Sequence, residues 1–239
     1  MRLPTIRGTI KRRILLNFRA DPAVIQPLLP PPFRPKLHGG QAVVGVCLIR
    51  LENIRPIGVP SFLGINSENA AHRIAIEWTD SSGAPREGVF IPRRDTGSIL
   101  NRLAGGRIFP GEHQGANFNV RDDGRNIDFL MKSHDGRVEV RFKGENSTTL
   151  PSNSIFAGVE HASSFFEQGS LGYSVTKNSA RLDALELRTF RWNVSPLDAS
   201  GVYSSWFNDE THFPKTAIQF DHALIMRDIQ HEWHQGDEV

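Results

Sequence analysis

The stretch 115-GANFNVRDDGRNIDFLMKSHDGRVEVRFKG-144 contains three runs in which apolar and polar residues alternate, separated by DDG and HDG. Such alternation is typical of half-buried strands, because successive side chains of a strand point to opposite faces of the sheet. Asp-Gly between two such runs favours a tight turn, since glycine adopts positive φ without a steric penalty. The stretch therefore predicts a three-stranded antiparallel meander.

Further strand patterns lie on both sides of this meander. Upstream, Gln41–Leu51 is a continuous apolar run, AHRIAIEWT places Ile74, Ile76 and Trp78 on one face together with His72, and EGVFIPR follows the turn SSGAP. Downstream, the strand patterns are DALELRTFRWNV, GVYSSWF and AIQFDHALIMR. About ten strands joined by short turns indicate a mainly antiparallel sheet, which closes into a barrel or pairs with a second sheet to remove its edges.

About three short helices interrupt the strands. Asp21 can cap the first helix, Pro22 suits its first position, and the prolines at 30–32 end it. The second is predicted to start near Asp95 or Thr96 and to run through GSILNRLA to Gly105. The third, SIFAGVEHASSFFEQ, has Ser154 as its cap and an apolar face of Ile155, Phe156, Val159, Ala162 and Phe166. We therefore predict a mainly β (α+β) fold, formed by one domain over residues 1–239.

Composition and motifs exclude several classes of function. The net charge is +2 and charged residues make up 23% of the chain, so a basic nucleic-acid surface is not expected. Neither a signal peptide nor an apolar run of membrane-spanning length is recognisable, which predicts a cytoplasmic protein without a membrane partner. Glycine-rich nucleotide-binding motifs and a complete Gly-x-Ser-x-Gly are also missing from the sequence, and no cofactor is predicted.

The lone cysteine and the histidines favour structural roles over metal binding. Cys47 lies in the apolar run QAVVGVCLIRL, where a buried, inert thiol is the expected state. His231 and His234 of HEWH lack the spacing of a zinc protease motif and lie in a polar tail that is expected to be exposed. We therefore predict no metal site.

Three short segments combine arginine, histidine and acidic residues near predicted element ends. Because converging arginines bind carboxylates and a nearby acid or histidine can carry a proton, this pattern suggests a site for a small anionic molecule. The alternative is that these residues form surface ion pairs and helix caps, with Asp95 as a cap. The predicted proton-transfer residues are Glu68, Glu112 and His113, and the predicted substrate-binding residues are His72, Arg73, Arg93, Arg94 and Arg107.

The order of these segments resembles the acetoacetate decarboxylase-like superfamily. The resemblance spans nearly the whole chain and is most specific from SENAAHR to GGRIFPGEH, and EGVFIPRRDTGSILNRLAGGRIFPGEH, FRWNV and FDHALIM are similar to its uncharacterised YqjF-like bacterial branch. It implies a barrel-like β domain with a central pocket, and it makes a homo-oligomer plausible. Glu68 matches an acidic pocket residue of the decarboxylases.

One departure from that superfamily bears directly on mechanism. The reactive lysine of the decarboxylases, which forms a Schiff base with a keto acid, matches Gly111, Glu112 and His113 in this chain, and no lysine lies there. Two hypotheses remain. The protein is either an enzyme that acts on a small organic acid without a Schiff base, a lyase among the options, or a non-catalytic module that binds a small ligand or has a structural role.

Overall fold

The computed structural model describes residues 4–100, 111–176 and 182–236. Thirteen strands, two α-helices and two turns of 3-10 helix at Gln26–Leu28 and Ser61–Leu63 lie wholly within these ranges. The helices are α1 (Pro22–Ile25) and α2 (Val159–Glu167). The strands are β1 Ile6–Ala20, β2 Arg34–Pro35, β3 Leu37–His38, β4 Gln41–Pro56, β5 Ile65–Thr79, β6 Pro85–Thr96, β7 His113–Asp122, β8 Asn126–Ser133, β9 Glu139–Asn146, β10 Leu171–Val175, β11 Leu182–Thr189, β12 Ser195–Ser204 and β13 Ile218–Gln235.

The strands form one sheet that closes on itself. From β6 the order runs β7, β8, β9, β12, β13, β1, β4 and β5, and β5 pairs with β6 again to complete a ring. Nearly all neighbours are antiparallel, whereas β6 pairs parallel with β7 and with β10. The expected mainly β, barrel-like fold is therefore confirmed, and closure of the ring removes the exposed edges that an open sheet would present.

A two-stranded ribbon adds a second, smaller ring to the first. Strand β10 pairs with β6 and with β11, and β11 pairs with β13. The strands β13, β1, β4, β5 and β6 are thus shared by both rings, and each contributes one face to each interior. This arrangement creates a space between the shared strands and the β10–β11 ribbon, and the candidate site lies there.

The large ring encloses the main hydrophobic core. The side chains of Ile14, Leu16, Val44 and Val46 fill it from β1 and β4, and Phe129 from β8 is 1% exposed. A second cluster lies on the opposite face of the shared strands, where Phe156, Phe165 and Phe166 from α2 and the segment before it cover Leu15 and Val43. Because side chains alternate along a strand, adjacent residues of β1 and β4 serve the two clusters in turn.

The meander predicted from the sequence is present as β7, β8 and β9, with antiparallel pairing throughout. Asp21 caps α1 as expected, with Oδ1 accepting a hydrogen bond from the backbone N–H of Ala23 at 2.8 Å. Helix α2 begins at Val159, so the expected start at Ser154 is wrong. The reason is that Ser154 and the backbone N–H of Ile155 both donate hydrogen bonds to Asp221, which holds this segment outside the helix.

Two further expectations are corrected by the strands. Asp95 and Thr96 belong to β6 and do not start a helix. Ile99 and Leu100 are helical, and the predicted second helix from residue 101 onwards lies outside the described residues. The carboxy-terminal tail is also not an exposed polar segment, because β13 extends to Gln235 and His231 is 1% exposed. No helix in the described ranges is both long and apolar enough to cross a membrane.

Candidate functional site

A cavity of about 160 Å³ lies between the shared strands and the β10–β11 ribbon. Its walls come from β1, β4, β5, β6, β10, β11, β13 and the first residue of β7, and Phe166 of α2 closes one side. The polar and charged residues that line it include Arg13, Cys47, Asn69, Arg73, Arg94, Asp95 and His113. The cavity therefore gathers side chains from segments that are far apart in the sequence.

Three arginines give the cavity its positive charge. Arg13 comes from β1, Arg73 from β5 and Arg94 from β6. Across the described part of the chain, no carboxylate forms an ion pair with any of the three. The Nη1 atom of Arg13 and the Nε atom of Arg73 are buried without a hydrogen-bond partner among the described residues. Buried guanidinium groups that no carboxylate neutralises are suited to binding an anionic ligand.

A row of hydrogen bonds across four neighbouring strands holds Arg73 in place. His222 of β13 lies opposite Asn17 of β1, Asn17 opposite Gly45 of β4, and Gly45 opposite Arg73 of β5. The Asn17 Nδ2 donates to Nε2 of His222 at 3.0 Å, and its Oδ1 accepts a hydrogen bond from Nη2 of Arg73. The Nδ1–H of His222 donates to Asp221 at 2.6 Å, so the imidazole links Asn17 to Asp221.

Glycine at position 45 makes this row possible. A Cβ atom at Gly45 would lie 2.3 Å from the backbone oxygen of Leu16 and 3.4 Å from Oδ1 of Asn17. The missing side chain lets the amide of Asn17 reach across β4 to the guanidinium of Arg73. Phe166 covers the row, with its ring 4.7 Å from the guanidinium carbon of Arg73 and 5.9 Å from the ring of His222. Water is thereby kept from these bonds, which strengthens them.

A β-bulge in β6 brings Arg94 to the cavity. His72 pairs with Arg93 and Ile74 pairs with Phe90, so Ile91 and Pro92 together face Arg73. The extra residue reverses the alternation, and Arg94 points to the same face as Ile91. Both Nε and Nη2 of Arg94 donate to the hydroxyl of Ser174, at 3.0 and 2.9 Å.

Burial sets the protonation of these groups. It lowers the pKa of Arg73 to about 10 and that of Arg94 to about 10, and both remain charged near neutral pH. Burial and the neighbouring Arg94 lower the pKa of His113 to about 3, so this imidazole is neutral near pH 7. Burial raises the pKa of Asp95, which opposes the effect of its partner Arg93.

The structure thus brings Arg73, Arg94 and His113 of the predicted site residues together. Glu68 lies on the opposite face of β5, where both carboxylate oxygens accept hydrogen bonds from Nη2 of Arg12 at 3.0 and 2.8 Å. Burial raises the pKa of Glu68, and Arg12 opposes that rise. Glu68 is therefore part of an ion-pair network with Arg12 and Asp122, away from the cavity.

The other predicted residues lie elsewhere. His72 is fully buried in the main core, where its ring stacks on Trp206 at 5.3 Å. Arg93 forms ion pairs with Asp95 and Asp135 at 2.8 and 3.1 Å, an arrangement that corresponds to the ion-pair alternative. Glu112 is half-buried and does not line the cavity. Arg107 lies outside the described residues.

Sequence reasoning missed Arg13 and Asn17 as members of the site. Cys47, expected to be buried and inert, is half-buried and lines the cavity, with Sγ 3.4 Å from Nε of Arg13. The only sequence signal for these site residues is the alternation along β1 and β4, which places Arg13, Asn17 and Cys47 on the face opposite the main core. Among the described residues, no group of three or more His, Cys, Asp or Glu is placed to hold a metal ion.

Gly111 is the first of the three residues, Gly111, Glu112 and His113, that match the reactive lysine of the decarboxylases. Its φ of +81° lies in the left-handed region, and a Cβ atom would lie 2.7 Å from the Cβ of Ser174. Its backbone N–H donates to Asp183 at 2.8 Å. This backbone conformation leaves no room for a side chain at this position.

The structure resembles solved proteins of the acetoacetate decarboxylase type. The acetoacetate decarboxylase of Legionella pneumophila is 12% identical, with a TM-score of 0.65 over 99% of this chain and 88% of that chain. MppR, an enduracididine biosynthesis enzyme complexed with pyruvate, is 11% identical, with a TM-score of 0.61 over 100% of this chain and 91% of that chain. An acetoacetate decarboxylase-like enzyme from Sphingomonas wittichii is 11% identical, with a TM-score of 0.59 over 100% and 93% of the two chains. The fold is therefore of the acetoacetate decarboxylase-like class.

A match to a family model shows which family the chain belongs to. Residues 7–217 match the model of DUF2071, described as an uncharacterized conserved protein. The chain belongs to the DUF2071 family, and the resemblance inferred from its motifs is confirmed. No curated protein matches the sequence.

The polar row yields a prediction about stability. Replacing Asn17 with Ala leaves a buried arginine and a buried imidazole without their shared partner, and we expect the free energy of unfolding to fall by about 2–4 kcal/mol. Urea denaturation measures this loss. The matched control is Gln219→Ala, which removes an amide bonded to the more exposed Arg19 and should cost less than about 0.5 kcal/mol. Equal effects of the two substitutions would contradict the role assigned to the row.

Buried neutral histidine predicts a dependence of stability on pH. Burial lowers the pKa of His72 from 6.5 to about 3, so below about pH 6.5 the unfolded chain binds a proton that the folded chain does not. The stabilisation is complete above that pH and is lost as the pH falls, at up to about 1.4 kcal/mol per pH unit for one histidine. Urea denaturation at pH 7.5 and 5.5 should show a smaller loss for His72→Phe than for wild type. The exposed His161, changed to Phe as the control, should leave the loss unaltered.

Proposed function

We propose that the cavity binds a small organic carboxylate through Arg13, Arg73 and Arg94, and that it does so without forming a Schiff base. The observation that carries the proposal is that three arginines line one enclosed space and that, among the described residues, no carboxylate forms an ion pair with any of them. A ligand carboxylate carries the opposite charge and can accept hydrogen bonds from guanidinium groups.

The neighbouring acids do not remove this need for an anion. Asp95 lines the cavity, but Arg93 binds its carboxylate through both Nε and Nη2. Glu167 is exposed at the margin. Burial lowers the pKa of Arg94, and Asp183 opposes that shift and also accepts a hydrogen bond from the backbone N–H of Gly111. Asp183 therefore offsets part of the charge of Arg94, while the charges of Arg13 and Arg73 are available to a ligand. MppR has been solved with pyruvate, a small carboxylate, and this supports a ligand of the same chemical class here.

The chemistry of the lining argues against an amine nucleophile. None of the described residues that line the cavity is a lysine. Lys36 lies in an adjacent small pocket behind Phe166, where Nζ is bonded to Glu87 and lies 4.2 Å from the ring of Phe165. Of the three residues matched to the reactive lysine, Gly111 leaves no room for a side chain, Glu112 does not line the cavity, and His113 lines it with an imidazole.

Proton transfer by His113 is the second candidate function, because this imidazole lines the cavity beside Arg94. A general base works best when its pKa lies near the working pH. With a pKa of about 3, His113 is a weak base but a good neutral hydrogen-bond partner for a ligand oxygen. Binding is therefore the function that the geometry supports best, and catalysis by His113 requires that the bound anion raise this pKa.

The single cysteine provides a direct test of binding. Cys47 is the only cysteine in the chain and lines the cavity, so the rate of its alkylation by iodoacetamide reports occupancy. We expect propanoate, pyruvate or 3-phenylpropanoate to slow alkylation and the matching amides to leave it unchanged. Arg94→Gln should raise the half-protecting concentration at least about tenfold, through loss of a charged hydrogen bond.

The control for this test is Arg125→Gln, which removes an exposed arginine that is paired with Glu145 and does not line the cavity. In this variant, carboxylates should protect Cys47 from alkylation at the same concentrations as in the wild type. The proposal fails if no carboxylate protects Cys47, or if the amides protect it as well as the acids do.

A second test addresses the missing Schiff base. Incubation with pyruvate followed by borohydride reduction should leave the mass of the intact protein unchanged, because the described lining offers no lysine to trap the keto acid. Mass spectrometry measures the outcome. A reduced adduct located on any lysine by peptide mapping would contradict the account of the lining.

A further inference from the structure

The cavity is lined in two chemically different parts. Cys47, Ile49 and Leu51 follow one another on the same face of β4 and all line it. Cys47 contacts Arg13, whereas Leu51 belongs to a hydrophobic cluster with Ile10. Four residues of strand separate these positions, which corresponds to about 13 Å. A ligand that spans the cavity therefore meets cations at one point and an apolar wall at another.

Two tryptophans dominate the apolar part. Trp192 and Trp233 both line the cavity, and both pack against the hydrophobic cluster that contains Leu51. Trp233 pairs across the strands with Leu187, another lining residue. The indole N–H of Trp192 donates to the hydroxyl of Ser163 on α2 at 2.9 Å. That hydrogen bond fixes the ring of Trp192 while leaving it part of the cavity wall.

Arg13 joins the two parts. Its guanidinium carbon lies 5.9 Å from the centre of the Trp192 ring, and its buried Nη1 has no hydrogen-bond partner among the described residues. A carboxylate bound there would be placed beside the aromatic wall. The rest of the ligand would then lie against indole and leucine side chains, where an apolar body is favoured and a polar one loses hydrogen bonds to water.

The size of the cavity limits that apolar body. Its volume is about 160 Å³, and an apolar cavity of about 150 Å³ accommodates benzene. Resting on the proposed function, we infer that the site selects an amphipathic monocarboxylate, an acid whose body is a single aromatic ring or an aliphatic group of similar size. Short acids such as propanoate engage the arginines but leave the wall of Trp192 and Trp233 uncovered.

The inference is tested with matched acids on the wild-type protein. Protection of Cys47 from iodoacetamide gives the affinity of propanoate and of 3-phenylpropanoate, which share a carboxylate and differ by one ring. Burial of the ring should tighten binding by about tenfold to a hundredfold. The quenching of tryptophan fluorescence should occur with 3-phenylpropanoate and be much weaker with propanoate.

Substitution of the two tryptophans tests whether the aromatic wall causes the preference for the ring. Trp192→Leu and Trp233→Leu should each reduce the ratio of the affinities for 3-phenylpropanoate and propanoate several-fold. The matched control is Phe190→Leu, which changes an aromatic residue that is 72% exposed and does not line the cavity. The wild-type comparison keeps the inference testable if a tryptophan variant does not fold.

The outcomes separate this inference from the proposed function. Equal affinity for the two acids would overturn the amphipathic ligand while leaving carboxylate binding in place. Failure of both acids to protect Cys47 would overturn the proposed function, and the inference with it. A ring preference unchanged in both tryptophan variants would show that the ring binds elsewhere, which also overturns the inference.

Discussion

The hydrogen bond that the guanidinium of Arg73 donates to the amide oxygen of Asn17 is the interaction on which the site depends. It places a positive charge between sheet and helix, where an isolated charge would be strongly unfavourable. The structure stabilises this charge with a row of hydrogen-bonded groups, which runs from Asp221 through His222 and Asn17 to Arg73. Each position constrains the others, because the amide must present its oxygen to the arginine and its nitrogen to the imidazole.

The same row links the site to the architecture. It crosses β13, β1, β4 and β5, four of the strands shared by the two rings, and α2 covers it with Phe166. A ring closed only around the main core would leave these polar residues in water. The β10–β11 ribbon and α2 enclose them, and the cavity is the space left between these layers. The site therefore exists because both faces of the shared strands are buried.

In two pairs of adjacent arginines, one arginine forms ion pairs and the other lines the candidate site. Arg12 and Arg13 point to opposite faces of β1, and Arg93 and Arg94 to opposite faces of β6. In each pair the first is neutralised by carboxylates, Glu68 and Asp122 for Arg12 and Asp95 and Asp135 for Arg93. Arg13 and Arg94, the second of each pair, line the cavity without such partners in the described ranges.

The sequence predicts the large-scale features because they rest on local periodicity. The meander, the cap of α1 and the inward position of His72 follow from alternation, turn chemistry and capping, which each need only a few neighbouring residues. The site depends on other information. The direction of Arg94 is set by a bulge, and the proximity of Arg13 to Cys47 and Trp192 arises from strand register and long-range pairing. Neither leaves a recognisable pattern along the chain.

The resemblance to the decarboxylases identified the fold, the family and the segment around Gly111. It could not show that the backbone there has left-handed geometry against Ser174, nor that Glu68 is bound by Arg12 on the opposite face of β5. Both facts depend on contacts between strands that are distant in sequence. Residues that match a family motif in order can therefore have different surroundings once the strands are paired.

A crystal structure of the protein with 3-phenylpropanoate tests the central claim most directly. The account predicts electron density for the ligand in the cavity, with carboxylate oxygens about 3 Å from guanidinium nitrogens of Arg13, Arg73 or Arg94 and the ring against Trp192 and Trp233. An empty cavity at a saturating ligand concentration, or a carboxylate bound away from all three arginines, would contradict it.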